Sequence, residues 1–467
     1  MLRLLHNNRG MKMEYQEFIS QKAFRHVEAG FTAAALPYPL FDYQEPIVRW
    51  ALKRGKAAIF ADTGLGKTIM QLAWADQVAK HTGHPVLVLA PLAVSNQTIE
   101  EGAKYGITVD RADPDNPATG PQVVITNYEQ LHKFSPDDFH GIVLDESSIL
   151  KGMDGRRRKE ITEFGAHIPY RLSCTATPSP NDFMELGTQS EFLGIMSQIE
   201  MLAMFFIHDG GDVAKWRLKG HGESKFFQWL ATWAVVIRKP EDLGFDGSAH
   251  VLPEIVYHSH VIETVPEDSL FVEPAQGLQE RNKARKDSVH DRVAKAAEIA
   301  NSMDGQVLIW CHLNDESEML TTSCRDAVEV KGADKPEHKT ESLMGFAHND
   351  VRVLVSKPKI AGFGMNWQNC NQMIFVGLSD SWESYYQAIR RCWRFGQKKP
   401  VHVHIVSADT EGAVVDNIRR KDEQNKVLGE KMVEHMKTMM DQSIFAAATT
   451  KTEYNPEKKM ELPKWLA

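Results

Sequence analysis

Lys67 and Thr68 close a short glycine-containing loop, ADTGLGKT at 61–68. The loop follows the apolar run AAIF at 57–60 and leads into the apolar stretch IMQLAWA at 69–75. A strand that turns into a helix through glycines presents backbone N–H groups at the helix N-terminus, where phosphate oxygens bind. Lys67 adds a point charge for β and γ phosphates, and the Thr68 hydroxyl suits Mg²⁺. Thr63, Gly64, Gly66, Lys67 and Thr68 are therefore candidate ligands of ATP. Ala61 replaces the first glycine of the G-x-x-x-x-G-K-[ST] spacing and is small enough to hold the same turn.

A carboxylate pair supplies what such a loop needs next. The apolar run GIVLD at 141–145 ends in Asp145, and Glu146 follows directly. At the C-terminal edge of a parallel strand, Asp145 would hold Mg²⁺ and Glu146 would orient and polarise the attacking water. A third charged group lies in YYQAIRRCWRFGQKKP at 385–400. Arg391 and Arg394 are spaced to share one helix face. Both can reach a γ-phosphate held by Lys67 on another domain, in the manner of an arginine finger. Arg390, Lys398 and Lys399 are left as candidates for nucleic-acid phosphates.

Positioning these groups takes two sheets. Apolar runs at 57–60, 86–90, 123–126 and 141–145 alternate with helix-like stretches, which predicts a parallel, doubly wound sheet. A second series at 306–312, 351–356, 372–377 and 401–406 predicts another α/β domain of the same kind. Between them, Met, Phe and Trp recur at helical spacing in EMLAMFFIHDG and KFFQWLATWAVVI, the pattern of helical core. The expected fold class is α/β, with two parallel-sheet domains in tandem and a helical insertion between them. The expected divisions are an N-terminal extension at 1–35, a first domain at 36–180 and the insertion at 181–285. A second domain at 286–425 and a C-terminal helix and tail at 426–467 complete the chain. Residues 281–300 read as a charged helix leading into the second sheet, and TEYNPEKKMELPKWLA reads as a polar, Pro-broken tail. Met11 or Met13 stands as an alternative start.

The 467 residues exceed one ordinary core, and 42% hydrophobic with 25% charged residues is a soluble globular composition. A net charge of -8 argues against indiscriminate coating of nucleic acid, but a local channel depends on local charge. Five cysteines without a C-x-x-C pair predict a reduced, cytoplasmic protein without disulfide frame or zinc site. No apolar run is long enough to span a bilayer.

With these motifs in place, the chain resembles the superfamily 2 helicase-like ATPases. Their Asp-Glu-x-x motif stands here as Asp145-Glu146-Ser147-Ser148. SCTATP at 173–178 resembles their coupling motif, with Thr175, Ala176 and Thr177 linking hydrolysis to nucleic-acid grip. LFDYQEPIVRWAL at 40–52 resembles their adenine-recognition motif, with Gln44 placed to hydrogen-bond the base. Other stretches resemble the Swi/Snf-type branch of double-stranded DNA translocases. These are Ile237-Arg238-Lys239 with Leu252-Pro253, then Gly362, Gly364 and Asn366, then Gln387, Ala388, Arg391, Arg394, Gly396 and Gln397. Arg390 stands where that branch has Asp. The compact layout resembles the phage and prophage DEAD/DEAH-box members.

The resemblance implies two RecA-like domains, ATP and Mg²⁺ as cofactors, Gly364 and Gln387 at the nucleotide, and DNA, duplex favoured, as partner. It places DNA-tracking loops at 90–97, 126–130 and 356–367, with Ser95, Asn127, Lys151, Lys357 and Asn366 as contacts. KGMDGRRRK at 151–159 reads equally as a phosphate-binding strip and as a solvated loop, and Trp367 reads as a buried aromatic. The expected function is a monomeric ATP-dependent DNA helicase or translocase in phage or bacterial DNA metabolism, working with replication or recombination proteins. The rivals are an RNA-directed or strand-separating helicase and a nucleotide-switched binding module. The intact acidic pair and both arginines favour true turnover.

Overall fold

The computed structural model describes residues 29–151, 155–179, 182–208, 216–263, 288–361, 365–379, 381–409 and 412–445. The four apolar runs of the first half become strands β1 (Lys56–Ala61), β2 (Val86–Ala90), β4 (Val123–Asn127) and β5 (Gly141–Asp145), and two strands not expected from the sequence, β3 (Val109–Arg111) and β6 (Tyr170–Thr175), join them. A short antiparallel pair follows, β7 (Phe206–His208) and β8 (Trp216–Leu218), and then β9 (Ala234–Ile237). The first sheet has the order β3-β4-β2-β5-β6-β1-β9, and its pairings among the described residues are all parallel. β2 is buried along its whole length, as expected of a strand with helices on both faces.

The second sheet is built from β10 (Ile255–Ile262), β11 (Val307–Trp310), β12 (Ala327–Val330), β13 (Val353–Ser356), β14 (Gln372–Val376) and β15 (Val401–Ala408). Its order is β10-β15-β14-β11-β13-β12, again parallel throughout. The expected pair of parallel-sheet α/β domains is therefore present. Trp367 is fully buried in the second core, and all five cysteines are buried and free. Among the described residues no helix is long and apolar enough to cross a membrane.

The span at 181–285, expected to be a helical insertion, is not purely helical. Its segment β9 pairs with β1 and completes the first sheet, while β10 pairs with β15 along its whole length. The four apolar residues of β9 follow the buried helix Glu223–Ala231 with only Thr232 and Trp233 between them. Neither glycine nor proline marks that turn, and so short an apolar run carries no period of its own. The tail region also begins as ordered structure. The helix Gly412–Phe445 leaves the second domain and returns to the first, where Met432 joins the first core and Arg238 Nη1 donates to the Lys426 carbonyl at 2.9 Å. Residues 264–287 and 446–467, which include part of the expected charged helix and the polar tail, lie outside the described residues.

β10 carries the chain from one domain into the other, and histidines pin it to β15. His258 Nε2 meets His402 Nδ1 at 3.0 Å, and His260 Nε2 meets His404 Nδ1 at 3.1 Å. The rings of His258 and His404 stack at 4.4 Å. Each N–H···N contact needs a neutral ring as its acceptor. Burial, then the neighbouring histidines, push His404 down to about 4 from the ordinary 6.5. A histidine whose folded pKa is depressed contributes stability that is present above its unfolded pKa and lost as pH falls toward the folded value. The β10–β15 edge should therefore loosen between about pH 6.5 and pH 4. Hydrogen exchange of the Ile255–Ile262 amides checks this, and His404→Gln should flatten the pH dependence.

Candidate active site

The phosphate loop forms as its glycines require. Gly64 and Gly66 have φ of 92° and 71°, a left-handed backbone that other residues adopt only under strain. Gly66 precedes the helix Lys67–Thr82, so the helix opens directly onto the loop. The loop is also hemmed in. A Cβ on Gly66 would collide with the Gln44 amide, and one on Gly64 would stand 2.9 Å from the backbone nitrogen of Phe395, a residue of the second domain. Lys67 Nζ donates to the Ala61 carbonyl at 2.8 Å. Burial lowers the Lys67 pKa, while Glu146, Asp62 and Asp145 oppose the fall.

Asp145 and Glu146 stand beside this lysine, at the end of β5. Burial, then the charge of Glu146, raise the Asp145 carboxyl to about 6. Glu146 adopts a φ of 61°, a costly conformation for a residue with a side chain and one found where surroundings over-determine it. Its Oε1 accepts from Thr175 Oγ1 at 2.6 Å, Ser148 Oγ at 3.3 Å and, from the second domain, Gln387 Nε2 at 3.3 Å. Thr177 continues the chain of contacts. Its N–H donates to Thr175 Oγ1 at 3.1 Å, and its hydroxyl donates to Glu383 Oε1 at 3.3 Å. Thr175 and Thr177 thus sit between the acidic pair and the second domain, the place a coupling element must occupy.

Arg391 and Arg394 come together at the end of the helix Trp382–Ile389. Each donates through Nη1 to the Met365 carbonyl at 3.2 Å, and Arg391 Nε also donates to Gln387 O at 2.9 Å. Arg391 is only 4% exposed. Burial, then the Arg394 charge, lower its pKa to about 10. Among the described residues neither arginine forms an ion pair. Two like charges held side by side in a largely enclosed cleft are costly, and an anion between them would offset that cost. Their fields reach the first domain, since Arg394 acts on Lys67 and the carboxylates of Glu146 and Asp145 act on Arg391.

Arg390 takes a different place from that expected, and several other candidate residues have partners within the protein. Arg390 does not offer its charge to nucleic acid. It is 7% exposed, and its Nη2 lies 3.1 Å from Asp62 Oδ2 of the phosphate loop. The helix ends at Ile389, so Arg390, Arg391 and Arg394 stand in the turns that follow it, and the helix face expected to carry Arg391 and Arg394 does not form. Gln44 is buried and braces the loop, with Oε1 accepting from Phe41 N at 2.9 Å and Nε2 donating to Leu65 O at 3.0 Å. Lys151 pairs with the buried Glu383 across the domains. Ser95 is buried, Asn127 accepts from Gln130 N at 3.2 Å, and Lys357 donates to Asn314 Oδ1 at 2.5 Å. Asn366 receives a contact across the cleft, its N–H donating to Gln97 Oε1 at 3.1 Å. Lys398 and Lys399 are exposed. Gly362 and Gly364 lie outside the described residues.

Sequence reasoning passed over Asp62, Tyr386, Glu383 and Met365. Asp62 was detectable as a carboxylate inside the loop, and Tyr386 as the residue one turn before Arg390. Glu383 and the Met365 carbonyl gave no signal in the sequence. Thr68 and Asp145 offer only oxygen donors beside a second carboxylate, a set that suits Mg²⁺. Burial and the Glu146 charge outweigh Lys67 at this half-buried carboxylate, and a cation there would be favourable.

Residues 43–203 match the profile of the SNF2-related domain, and residues 291–396 match that of the helicase conserved C-terminal domain. The two matches fall on the two sheets. Among curated proteins, the bifunctional helicase and thymine dioxygenase JBP2 of Leishmania braziliensis is 34% identical over 90 residues, 18% of this chain and 8% of that protein. The proteins of the same name from Leishmania infantum and Leishmania major match to the same extent. The chain therefore aligns with only 8% of the length of these relatives.

A carboxyl raised to about 6 keeps its proton to a higher pH than an ordinary one, so protons should compete with metal at Asp145 in mildly acidic solution. Mg²⁺ affinity of the nucleotide-bound protein, measured by calorimetry, should fall as pH is lowered through about 6. A flat profile from about pH 7.5 to pH 5 would remove Asp145 from the metal site.

Proposed function

Because the chain belongs to the Swi/Snf-type branch of the superfamily 2 helicase-like proteins, we propose that it is an ATP-dependent DNA translocase driven by closure of the cleft between its two sheets. The observation that carries this reading is the arginine pair. Arg391 and Arg394 share the Met365 carbonyl, face the domain that holds Lys67 and Glu146, and have no carboxylate partner of their own.

The chemistry divides between the domains. Lys67 exchanges its resting bond to the Ala61 carbonyl for the β and γ phosphates of ATP. Glu146, held by Thr175 and Gln387, orients the attacking water and receives its proton. Arg391 and Arg394 stabilise charge on the transferring phosphoryl group, an effect worth roughly 10³–10⁵ in rate. Thr68 and Asp145 would hold Mg²⁺, which neutralises phosphate charge when bound. Hydrolysis then depends on the domains being together, so turnover and movement are coupled. Gln387 touches both Glu146 and Thr177, and a shift of the second domain is felt at once by the base.

DNA would lie along the C-terminal edges of the strands, where Asn127 ends β4 and Lys357 and Asn366 follow β13. Contacts to phosphate from such loops grip without reading sequence. Exposed Lys398 and Lys399 add local positive charge to an acidic chain. We place the protein in the cytoplasm, as a monomer, in phage or bacterial DNA metabolism.

ATPase assays with duplex DNA, single-stranded DNA and RNA test this. Duplex DNA should stimulate most, and stimulation by none of the three would overturn the motor reading. Lys67→Ala and Arg391→Ala should both abolish stimulated turnover. Arg391→Ala should lower kcat by about 10³ while nucleotide still binds, and near wild-type activity would overturn the finger assignment.

A further inference from the structure

Arg390 occupies a position that the translocation chemistry does not explain. Its guanidinium lies between two rings, 4.9 Å from the centroid of Tyr386 and 4.2 Å from that of Trp393. Its Nη2 donates to the Tyr386 hydroxyl at 2.9 Å and to Asp62 Oδ2 at 3.1 Å. Asp62 stands between Ala61 and the glycines of the phosphate loop. Its Oδ1 accepts from Tyr386 OH at 2.6 Å and from Thr63 N at 2.6 Å. One carboxylate of the loop is thus bound by two side chains of the other domain, one from the helix Trp382–Ile389 and one from its C-cap. The next residues along that segment are Arg391, Arg394 and Phe395, and the Phe395 backbone already packs against Gly64.

Resting on the ATPase reading above, we propose that Asp62, Arg390 and Tyr386 form an interdomain clasp that positions Arg391 and Arg394 on the phosphate loop. The physical reasons are direct. A buried ion pair of this kind is specific in register, because a slip leaves a desolvated charge on each side. Arg390 is flattened between rings, so its fork has few alternative places to go. The pair also answers a problem of charge. Asp62 puts a carboxylate beside the place where a triphosphate must bind, and Arg390 cancels it. Neither residue touches the reacting atoms, so both are positioning residues.

The two roles separate in a mutant cycle. Arg390→Gln leaves the Asp62 carboxylate bare, so nucleotide affinity should fall about tenfold and kcat about tenfold. Adding Asp62→Asn removes the bare charge. Affinity should then return to within about threefold of wild type, while kcat stays low because the clasp is still absent. Arg390→Lys keeps the cation and should retain most of the affinity. Tyr386→Phe removes one hydroxyl and should lower kcat alone.

Hydrogen exchange on the nucleotide-free chain gives a readout that needs no activity. Arg390→Gln should raise exchange both at 62–66 and at 390–397, with the strands β1 and β11 unchanged. Unchanged exchange in the phosphate loop, or a double variant with full kcat, would overturn the clasp. Global loss of protection would also overturn it, since that is the mark of a fold contact. If no nucleic acid stimulates the wild-type ATPase, the proposed function fails, and the exchange experiment still decides whether the clasp exists.

Discussion

The central constraint on this molecule is that a cleft nearly closed to water holds an unbalanced set of charges. Lys67, Asp62, Asp145 and Glu146 come from the first domain, and Arg390, Arg391 and Arg394 from the second. Burying such groups costs several kcal/mol per ion unless partners are exact in position. Asp62 and Arg390 satisfy one another. The others do not. Asp145 is raised in pKa and Arg391 is lowered, each pushed toward its neutral form by burial first and then by the like charge beside it. A metal-bound triphosphate carries both signs of charge that these residues lack.

The rest of the structure serves to bring these groups together and let them part. The two parallel sheets deliver their charged residues from strand ends and the turns that follow, where side chains are free of the ladder and able to meet a ligand. Besides single side-chain contacts, three segments among the described residues join the sheets. β10 carries the chain across, the helix Gly412–Phe445 returns from the second domain to the first core, and the segment 386–395 lies directly on the phosphate loop. Pairing of β10 through histidines makes the first of these sensitive to proton concentration. The path from Glu146 through Thr175 and Thr177 to Glu383 is composed of single hydrogen bonds of 2.6, 3.1 and 3.3 Å through two threonines. Coupling between hydrolysis and domain position therefore needs no large element of its own.

Legibility in the sequence followed the range of each interaction. The phosphate loop, the acidic pair and the arginine pair were readable because each depends on neighbours within a few residues. Lys67 needs glycines beside it, Asp145 needs an apolar strand before it, and Arg391 needs Arg394 one turn later. The eight strands singled out from apolar runs all formed, since an unbroken apolar run bounded by turns has few other places to go. β9 was missed because four apolar residues next to an aromatic helix carry no periodicity. Arg390 was misplaced because its type and exposure pattern match a phosphate contact as well as an ion pair.

By itself, then, the chain determined which chemistry was possible and on which elements it would sit, because backbone geometry, charge type and apolar periodicity are local properties. Only the tertiary structure decided which charges are paired and which are left for a ligand. Three arginines in one short stretch look alike in sequence. Folding sends Arg390 to Asp62 and leaves Arg391 and Arg394 on the Met365 carbonyl. That division depends on partners hundreds of residues away, and no spacing rule within the stretch contains it.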